Sequence, residues 1–171
     1  MIGPRFKVPV VFLVVFVLHS GVMASLRSAG LPNDLLLLLP ISAAIVAGSE
    51  RGALVGFIAG MLADLFLETP LGLSALTYSV VGFALGVLQG NVIRASWWIP
   101  PLTALIGSAA GMVLFALFGA TVGQSHLVGP DLPWIAMSVA LVNTPASILV
   151  VRVMGWALST GVSTERSFAP R

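Results

Sequence analysis

The stretch GFIAGMLADLFLETPLGLSAL, residues 56–76, contains the pattern that decides the fold. Glycine recurs every fourth residue, at Gly56 and Gly60, within a predicted apolar helix. An acid, Asp64, follows Gly60 at the same spacing. A turn with Pro70 and Gly72 then leads into a second apolar helix. In lipid, helices associate where small residues let two backbones approach closely. The stretch therefore predicts two membrane-spanning helices that are joined by a tight turn and carry small-residue packing faces.

The composition excludes a water-soluble globular protein. Of the 171 residues, 58% are hydrophobic and 8% are charged, whereas soluble domains have about 25% charged residues. The 8 Lys and Arg residues and 6 Asp and Glu residues form no charge block, so nucleic acid is not an expected partner. The chain has no cysteine, which removes disulfides, thiolate catalysis and cysteine-ligated metal sites. The expected environment is the lipid bilayer.

Six apolar segments follow one another along the chain, and a transmembrane helix needs about 20 residues. We predict an all-α, polytopic integral membrane protein in which about six transmembrane helices form one compact bundle, a single domain over residues 1–171. The predicted spans are residues 8–26, 35–48, 53–67, 71–90, 97–122 and 133–158, followed by a short cytoplasmic tail at residues 159–171. The second and third spans are short, and residues 49–52 between them are predicted as a polar turn. Either span could be a partial or re-entrant crossing, so five full spans remain an alternative.

The basic residues predict the orientation of these spans. With six spans, Arg27 falls on one side of the membrane and the other basic residues fall on the opposite side. That second group consists of Arg5, Lys7, Arg51, Arg94, Arg152, Arg166 and Arg171. The positive-inside rule makes its side cytoplasmic, so both termini are expected in the cytoplasm. The first apolar run is too long for the core of a signal peptide, which favours an uncleaved first helix.

Two glycine stripes are expected to be helix-packing faces. Gly56 and Gly60 lie on the predicted third span, and Gly82 and Gly86 lie on the predicted fourth span. Such a stripe can pack against another helix of the same chain or against the transmembrane helix of a partner protein. The sequence leaves both alternatives open.

Asp64 lies well inside an apolar run, where a charged group costs about 2.5–3.5 kcal/mol on insertion scales. It could reach the headgroups or bond the turn at Thr69, pair with a polar residue of a neighbouring helix, or bind a proton, ion or solute. His19 is a candidate partner because its predicted depth is similar, about 17 Å from the cytoplasmic edge at about 1.5 Å per residue. Asn143, beside the predicted helix kink at Pro145, is a second candidate intramembrane polar residue.

No catalytic or metal site is predicted. The two histidines, His19 and His126, lie on separate elements, and no metal-binding, nucleophile or nucleotide-binding motif occurs in the sequence. We therefore expect no enzymatic activity, no metal and no cofactor. The polar groups that could line a solute pocket are few and show no evident pattern. They are His19, Asp64, Tyr78, Asn143 and Thr144.

The motif in residues 56–76 resembles the rod shape-determining protein MreD family. In that family, a glycine-rich third span ends in an acid, and a junction with proline and glycine leads to Ala-Leu in the next span. The matching residues are Gly56, Gly60, Asp64, Thr69, Pro70, Gly72, Ala75 and Leu76. The remaining chain is similar to the family in length, in its polytopic pattern and in its basic first segment and tail.

The resemblance implies a non-enzymatic scaffold of cell elongation and peptidoglycan synthesis in the bacterial inner membrane. The implied partners are an MreC-like bitopic protein, an MreB-like filament, a RodA-type glycosyltransferase and a class B penicillin-binding protein. The family is also similar in fold to the substrate-binding subunits of energy-coupling-factor transporters. A vitamin-binding subunit of such a transporter is therefore the alternative, and it would need a cavity with several convergent polar groups.

Overall fold

The computed structural model describes residues 4–28, 32–66, 70–90 and 98–158, with side chains described outside residues 4–6, 22–28 and 90. Within these ranges the chain forms six α-helices and no β-strand, which confirms the all-α prediction. The helices are α1 (Pro4–Ser28), α2 (Leu38–Ala47), α3 (Ser49–Asp64), α4 (Leu73–Gly90), α5 (Ile99–Thr121) and α6 (Leu132–Leu158). A short 3₁₀ helix, Ser125–Leu127, lies between α5 and α6.

The helices carry a large apolar surface on the outside of the bundle. Two of the described helices, α5 and α6, are long and apolar enough to cross a membrane by themselves, while the remaining apolar helical stretches are shorter. Leu13 on α1, Phe57 on α3 and Leu88 on α4 are more than half exposed. Soluble monomers rarely expose contiguous apolar patches of this kind, which suit a lipid environment.

Helices α3 and α4 form an antiparallel hairpin in which their backbones touch. Gly52 faces Gly82, Gly56 faces Tyr78, and Gly60 faces Ala75. A Cβ atom added to Gly52 would lie 2.6 Å from the carbonyl oxygen of Gly82, which is closer than a carbon atom can approach. The glycines are therefore what lets these two helices pack without side chains between them.

Helices α2 and α3 are separated by one residue, Gly48. Its φ of +88° lies in a region that L side chains rarely adopt, and this conformation ends α2 and starts α3 in a new direction. The predicted polar turn at residues 49–52 is therefore wrong, because these residues form the first turn of α3. A single glycine with positive φ makes the reversal, and a longer loop is not needed.

Helix α2 is short and lies at the centre of the bundle. It contacts α3, α4, α5 and α6, and its Leu38, Leu39 and Ile41 are fully buried. Its ten residues span about 15 Å, about half of a hydrocarbon core of about 30 Å. The buried linker, residues 32–37, leads into α2 without helical structure, and Leu36 within it is 1% exposed.

The described basic side chains gather at one end of the bundle. The Lys7 ammonium lies over the Trp156 ring, 4.5 Å from its centroid, so the start of α1 meets the end of α6. Gly155 approaches Val46 at the end of α2, which places Arg152 and Arg51 near this same end. Residues 122–131, which contain no lysine or arginine, connect α5 to α6 at the opposite end.

Candidate functional site

Asp64, the last residue of α3, holds the start of α4. Its Oδ2 atom accepts hydrogen bonds from the backbone N–H groups of Gly72 at 2.8 Å and Ala75 at 3.3 Å, and its Oδ1 accepts one from Ser74 at 3.0 Å. The residue is 2% exposed. The first N–H groups of a helix have no partner within the helix and carry partial positive charge, so a carboxylate at this position is stabilised.

The carboxylate that caps α4 comes from α3, because the residue at the capping position of α4 has no side-chain acceptor. Gly72 occupies the capping position, since its carbonyl accepts the first helical hydrogen bond, from Leu76 at 2.9 Å. Its φ of +97° favours glycine, and glycine has no side chain with which to accept a bond from the helix. Asp64 supplies that acceptor from the preceding helix. The α3–α4 turn is thus fixed by one carboxylate and one glycine.

A second polar cluster surrounds the buried linker and connects four segments of the chain. His19 of α1 accepts a hydrogen bond at Nδ1 from the Leu35 N–H, at 3.3 Å. The Tyr78 hydroxyl of α4 donates a hydrogen bond to the Asp34 carboxylate. Asn143 of α6 donates to the Asp34 carbonyl at 2.9 Å. Buried non-helical backbone needs partners for its N–H and carbonyl groups, and these side chains supply some of them.

The cluster extends into α5 and stabilises the start of α2. The Asn143 amide also donates to the Ser108 hydroxyl at 2.9 Å, and both residues are fully buried. The Asp34 Oδ1 accepts a hydrogen bond from the Leu37 N–H at 3.4 Å, across the turn that precedes α2. The polar residues inside the bundle therefore compensate for the break in helical structure before α2.

A cavity of about 550 Å³ lies beside the buried linker. Its walls come from α1, the linker, the α3 end, α4, α5, the 3₁₀ helix and α6. Polar side chains enter it from α1, the linker and α4. They are His19, Ser20, Asn33, Asp34, Ser74 and Tyr78. A volume of this size is typical of small-molecule sites in proteins.

The structure places all of the predicted site residues except Thr69. Gly56 and Gly60 pack against α4, and Gly82 and Gly86 pack against α3 and the Gly48 break, so all four are used within the chain. Ala75 faces Gly60, and the Pro70 carbonyl accepts a hydrogen bond from Leu73. Thr69 lies outside the described residues.

Asp64 and His19 are held by different partners. The Asp64 carboxylate bonds the start of α4, whereas His19 bonds the linker backbone. Of the five polar residues considered for a pocket, His19 and Tyr78 line the cavity, while Asp64, Asn143 and Thr144 are not among its lining residues. Thr144 bonds the Ala140 carbonyl of its own helix at 2.7 Å, and α6 continues through Pro145.

Asn33 and Asp34 belong to the candidate site but are not among the residues predicted from the sequence. They follow Pro32 and precede a run of leucines, so their position resembles that of an ordinary loop. The available signal is an acid immediately before the apolar run that starts at Leu35, which is a helix-start pattern. The predicted span begins at Leu35, so the sequence does not show that the two residues before it are also packed inside the bundle.

The described residues provide hydrogen-bonding and packing groups rather than a metal centre. Across them, no group of three His, Cys, Asp or Glu side chains is arranged to hold a metal ion. What the two clusters can do is fix helix positions and, at the cavity, offer hydrogen bonds to a bound molecule.

Comparison with known proteins identifies the family. A family model described as rod shape-determining protein MreD matches residues 2–154 of the 171-residue chain. The chain belongs to the MreD family. The match confirms the resemblance based on residues 56–76 and extends it to α1, α2, α5 and most of α6. MreD membership implies a role in rod shape determination, and the apolar helices fit a membrane protein. No curated protein and no solved structure matches the chain.

Proposed function

We propose that this MreD-family chain is a non-enzymatic scaffold of the cell-elongation complex in the bacterial cytoplasmic membrane. The observation that carries the proposal is the family match over residues 2–154, which includes five complete helices of the bundle and most of α6. Shape determination requires that proteins be held together, and the bundle offers extensive apolar surface for contacts with other helices. The family match gives the transporter-subunit alternative no support.

The proposed partner contacts lie on the outer faces of the helices. The glycine faces of α3 and α4 are covered by each other, so they are not open in the isolated chain. Helix α1 packs mainly against α6 and presents Val10, Leu13 and Val17 outward. We expect such faces to receive the transmembrane helices of an MreC-like bitopic protein, a RodA-type glycosyltransferase and a class B penicillin-binding protein.

The proposed orientation places the basic end of the bundle in the cytoplasm. Lys7, Arg51 and Arg152 lie at this end in the structure. With six spans, both termini and the predicted cytoplasmic residues Arg94 and 159–171 fall on the same side. Basic groups there would face anionic lipid and an MreB-like filament that lies against the membrane.

Depletion of the protein in its own bacterium, followed by capture from membranes, tests the scaffold. We expect depleted rods to become round and the wild-type gene to restore them. Affinity capture in mild detergent should recover the MreC-like protein. Cells that keep their rod shape after depletion, together with capture that recovers no elongation protein, would contradict the proposal.

The variants Asp64→Leu and Asp64→Asn sharpen this test. Both remove the charge, but asparagine retains an oxygen that can accept hydrogen bonds from the start of α4. If the α3–α4 turn presents a partner surface, Asp64→Leu should reduce MreC capture and rod shape more strongly than Asp64→Asn. Membrane levels of both variants are measured in parallel, so that loss of the protein is distinguished from loss of the contact.

A further inference from the structure

At the basic end of the bundle, two cationic side chains lie beside one tryptophan. The Lys7 ammonium of α1 is 4.5 Å from the centroid of the Trp156 ring of α6, within the range of a cation–π contact. Arg152 precedes Trp156 by four residues, so the two side chains are neighbours on one face of α6. Helices α1 and α6 therefore bring two positive charges to the same indole ring.

The positive charge at this end is not balanced within the described part of the chain. Arg152 is exposed, and no hydrogen bond or ion pair joins its guanidinium to another described residue. Among the described acids, Asp34 and Asp64 are hydrogen-bonded inside the bundle, and Asp131 lies at the opposite end. That leaves Glu50 as the one described acid near three basic side chains, so an anion from outside the chain is favoured here.

Exposed apolar side chains continue from the two cations toward the middle of the bundle. On α1, Val10 and Val14 follow Lys7 on the same helix face, and both are exposed. On α6, exposed apolar residues precede Arg152 by three and four positions. They are Leu149 and Ile148. Hydrocarbon chains pack against such faces, so the surface below the cations suits acyl chains.

The position of the tryptophan indicates where this surface lies in the membrane. Trp156 is half exposed and stands two residues before the end of α6. Tryptophan rings prefer the level of the lipid headgroups, and long basic side chains near helix ends extend to the same level. A ligand with an anionic group at headgroup depth and apolar chains below it matches both parts of the surface. A phospholipid with a net negative charge has this structure.

We propose that Lys7, Arg152 and Trp156 form a binding site for the headgroup of an anionic phospholipid, whose acyl chains lie along the exposed faces of α1 and α6. Phosphate oxygens accept charge-assisted hydrogen bonds from both kinds of cation, and arginine can bind them in a bidentate manner. The site rests on the proposed function only for the choice of the cytoplasmic leaflet, where anionic lipid attracts basic groups. Binding to the purified chain has no sidedness, so failure of the site and failure of the orientation are separate results.

Phosphatidylglycerol and phosphatidylcholine with identical palmitoyl and oleoyl chains are a matched pair of probes, because they differ only in the headgroup. The full-length protein is purified in mild detergent, each lipid is titrated, and the bound lipid is counted by native mass spectrometry. A basic residue near an anionic lipid contributes about 1 kcal/mol, which corresponds to about fivefold in affinity. With two cations, we expect phosphatidylglycerol to bind about tenfold or more tightly than phosphatidylcholine.

Single-charge variants identify where the lipid binds. Lys7→Gln and Arg152→Gln should each weaken phosphatidylglycerol binding about fivefold, and the second variant tests the site even if the first disturbs the start of α1. Arg51→Gln is the matched control. Arg51 is exposed at the same end and loses the same charge, but it belongs to α3, outside the α1–α6 pair. The control variant should bind as the wild type does.

A preference for phosphatidylglycerol that falls in Lys7→Gln and Arg152→Gln and persists in Arg51→Gln supports the proposal. The proposal is overturned if phosphatidylcholine binds as tightly, or if Arg51→Gln weakens binding as much as Arg152→Gln, since net charge alone would then explain the attraction. Absence of binding by either lipid also overturns it. Reduced capture of an acidic partner protein by Arg152→Gln would in that case assign the cations to a protein contact.

Discussion

At the scale of single residues, Asp64 shows how a carboxylate becomes acceptable inside an apolar helix. Its burial is compensated by the N–H groups of Gly72, Ser74 and Ala75, which have no acceptor within the first turn of α4. The carboxylate therefore supplies the acceptor that the first N–H groups of α4 lack, and these N–H groups stabilise the buried carboxylate. This arrangement explains why the acid stands at the end of α3 and why glycine stands at the start of α4.

Replacing Asp64 tests this interdependence through stability. Asp64→Leu leaves three backbone N–H groups without their acceptor, and we expect it to lower the free energy of unfolding by about 2 kcal/mol or more. Asp64→Asn should cost less, because its side-chain oxygen can still accept. Denaturant-induced unfolding in mixed micelles measures both. Equal stability of the two variants and the wild type would show that the cap contributes nothing.

The side-chain amide of Asn143 connects α6 to the linker and to α5. Asn143→Leu removes the donor to the Asp34 carbonyl and to Ser108, and should destabilise the fold by about 1–3 kcal/mol. Its neighbour provides the control: Thr144→Val removes only a bond to the carbonyl of its own helix, so a smaller effect is expected. Similar losses in both variants would contradict the assigned role.

At the scale of elements, the α3–α4 hairpin depends on contact between backbones. Gly60→Leu would force a side chain into the Ala75 backbone, and overpacking of a close contact costs about 1–3 kcal/mol or more. Gly86→Leu meets the backbone of Ser49 in the same way. Gly21→Leu on α1 is the control, because no atom lies within 4 Å of an added Cβ there. If Gly21→Leu lowers the melting temperature as much as Gly60→Leu does, the tight-contact explanation fails.

The sequence predicted the helices better than it predicted their ends. Apolar runs and glycine spacing were sufficient to place α3, α4, α5 and α6 within a few residues. The start of α2 was missed because the apolar run begins at Leu35, whereas the helix begins at Leu38. In a continuous apolar run, the spacing of the apolar residues does not indicate whether a buried leucine is helical. What decides this point is the set of tertiary hydrogen bonds around Asp34, which no local pattern contains.

At the scale of the whole molecule, the absence of cysteine from the sequence makes the orientation directly measurable. Glu50→Cys and Ser125→Cys introduce single thiols at exposed positions at opposite ends of the bundle. An impermeant maleimide added to intact spheroplasts should label Ser125→Cys and leave Glu50→Cys unlabelled until the membrane is opened. The reverse pattern would overturn the proposed cytoplasmic location of the basic end.

The candidate site was only partly predictable at this scale. Asp64 and the glycines could be identified because their pattern is local and shared with a family. The cavity could not, because its walls come from residues as far apart in sequence as Phe16 and Val139. Asn33 has no unusual neighbours in the sequence, so nothing local indicates that it is buried.

The buried linker also constrains how the protein is made. Tyr78 lies 44 residues after Asp34, and Asn143 lies 109 residues after it. The ribosome therefore completes the first three helices before Tyr78 and Asn143 exist, and of the side chains that bond the linker from other helices only His19 is present by then. Until α6 emerges, the nascent segment needs shelter from lipid, supplied by the insertion machinery or by water. A chain that terminates before Asn143 would lack the donor to the Asp34 carbonyl permanently, and we expect such a fragment to be degraded faster in cells than the full chain.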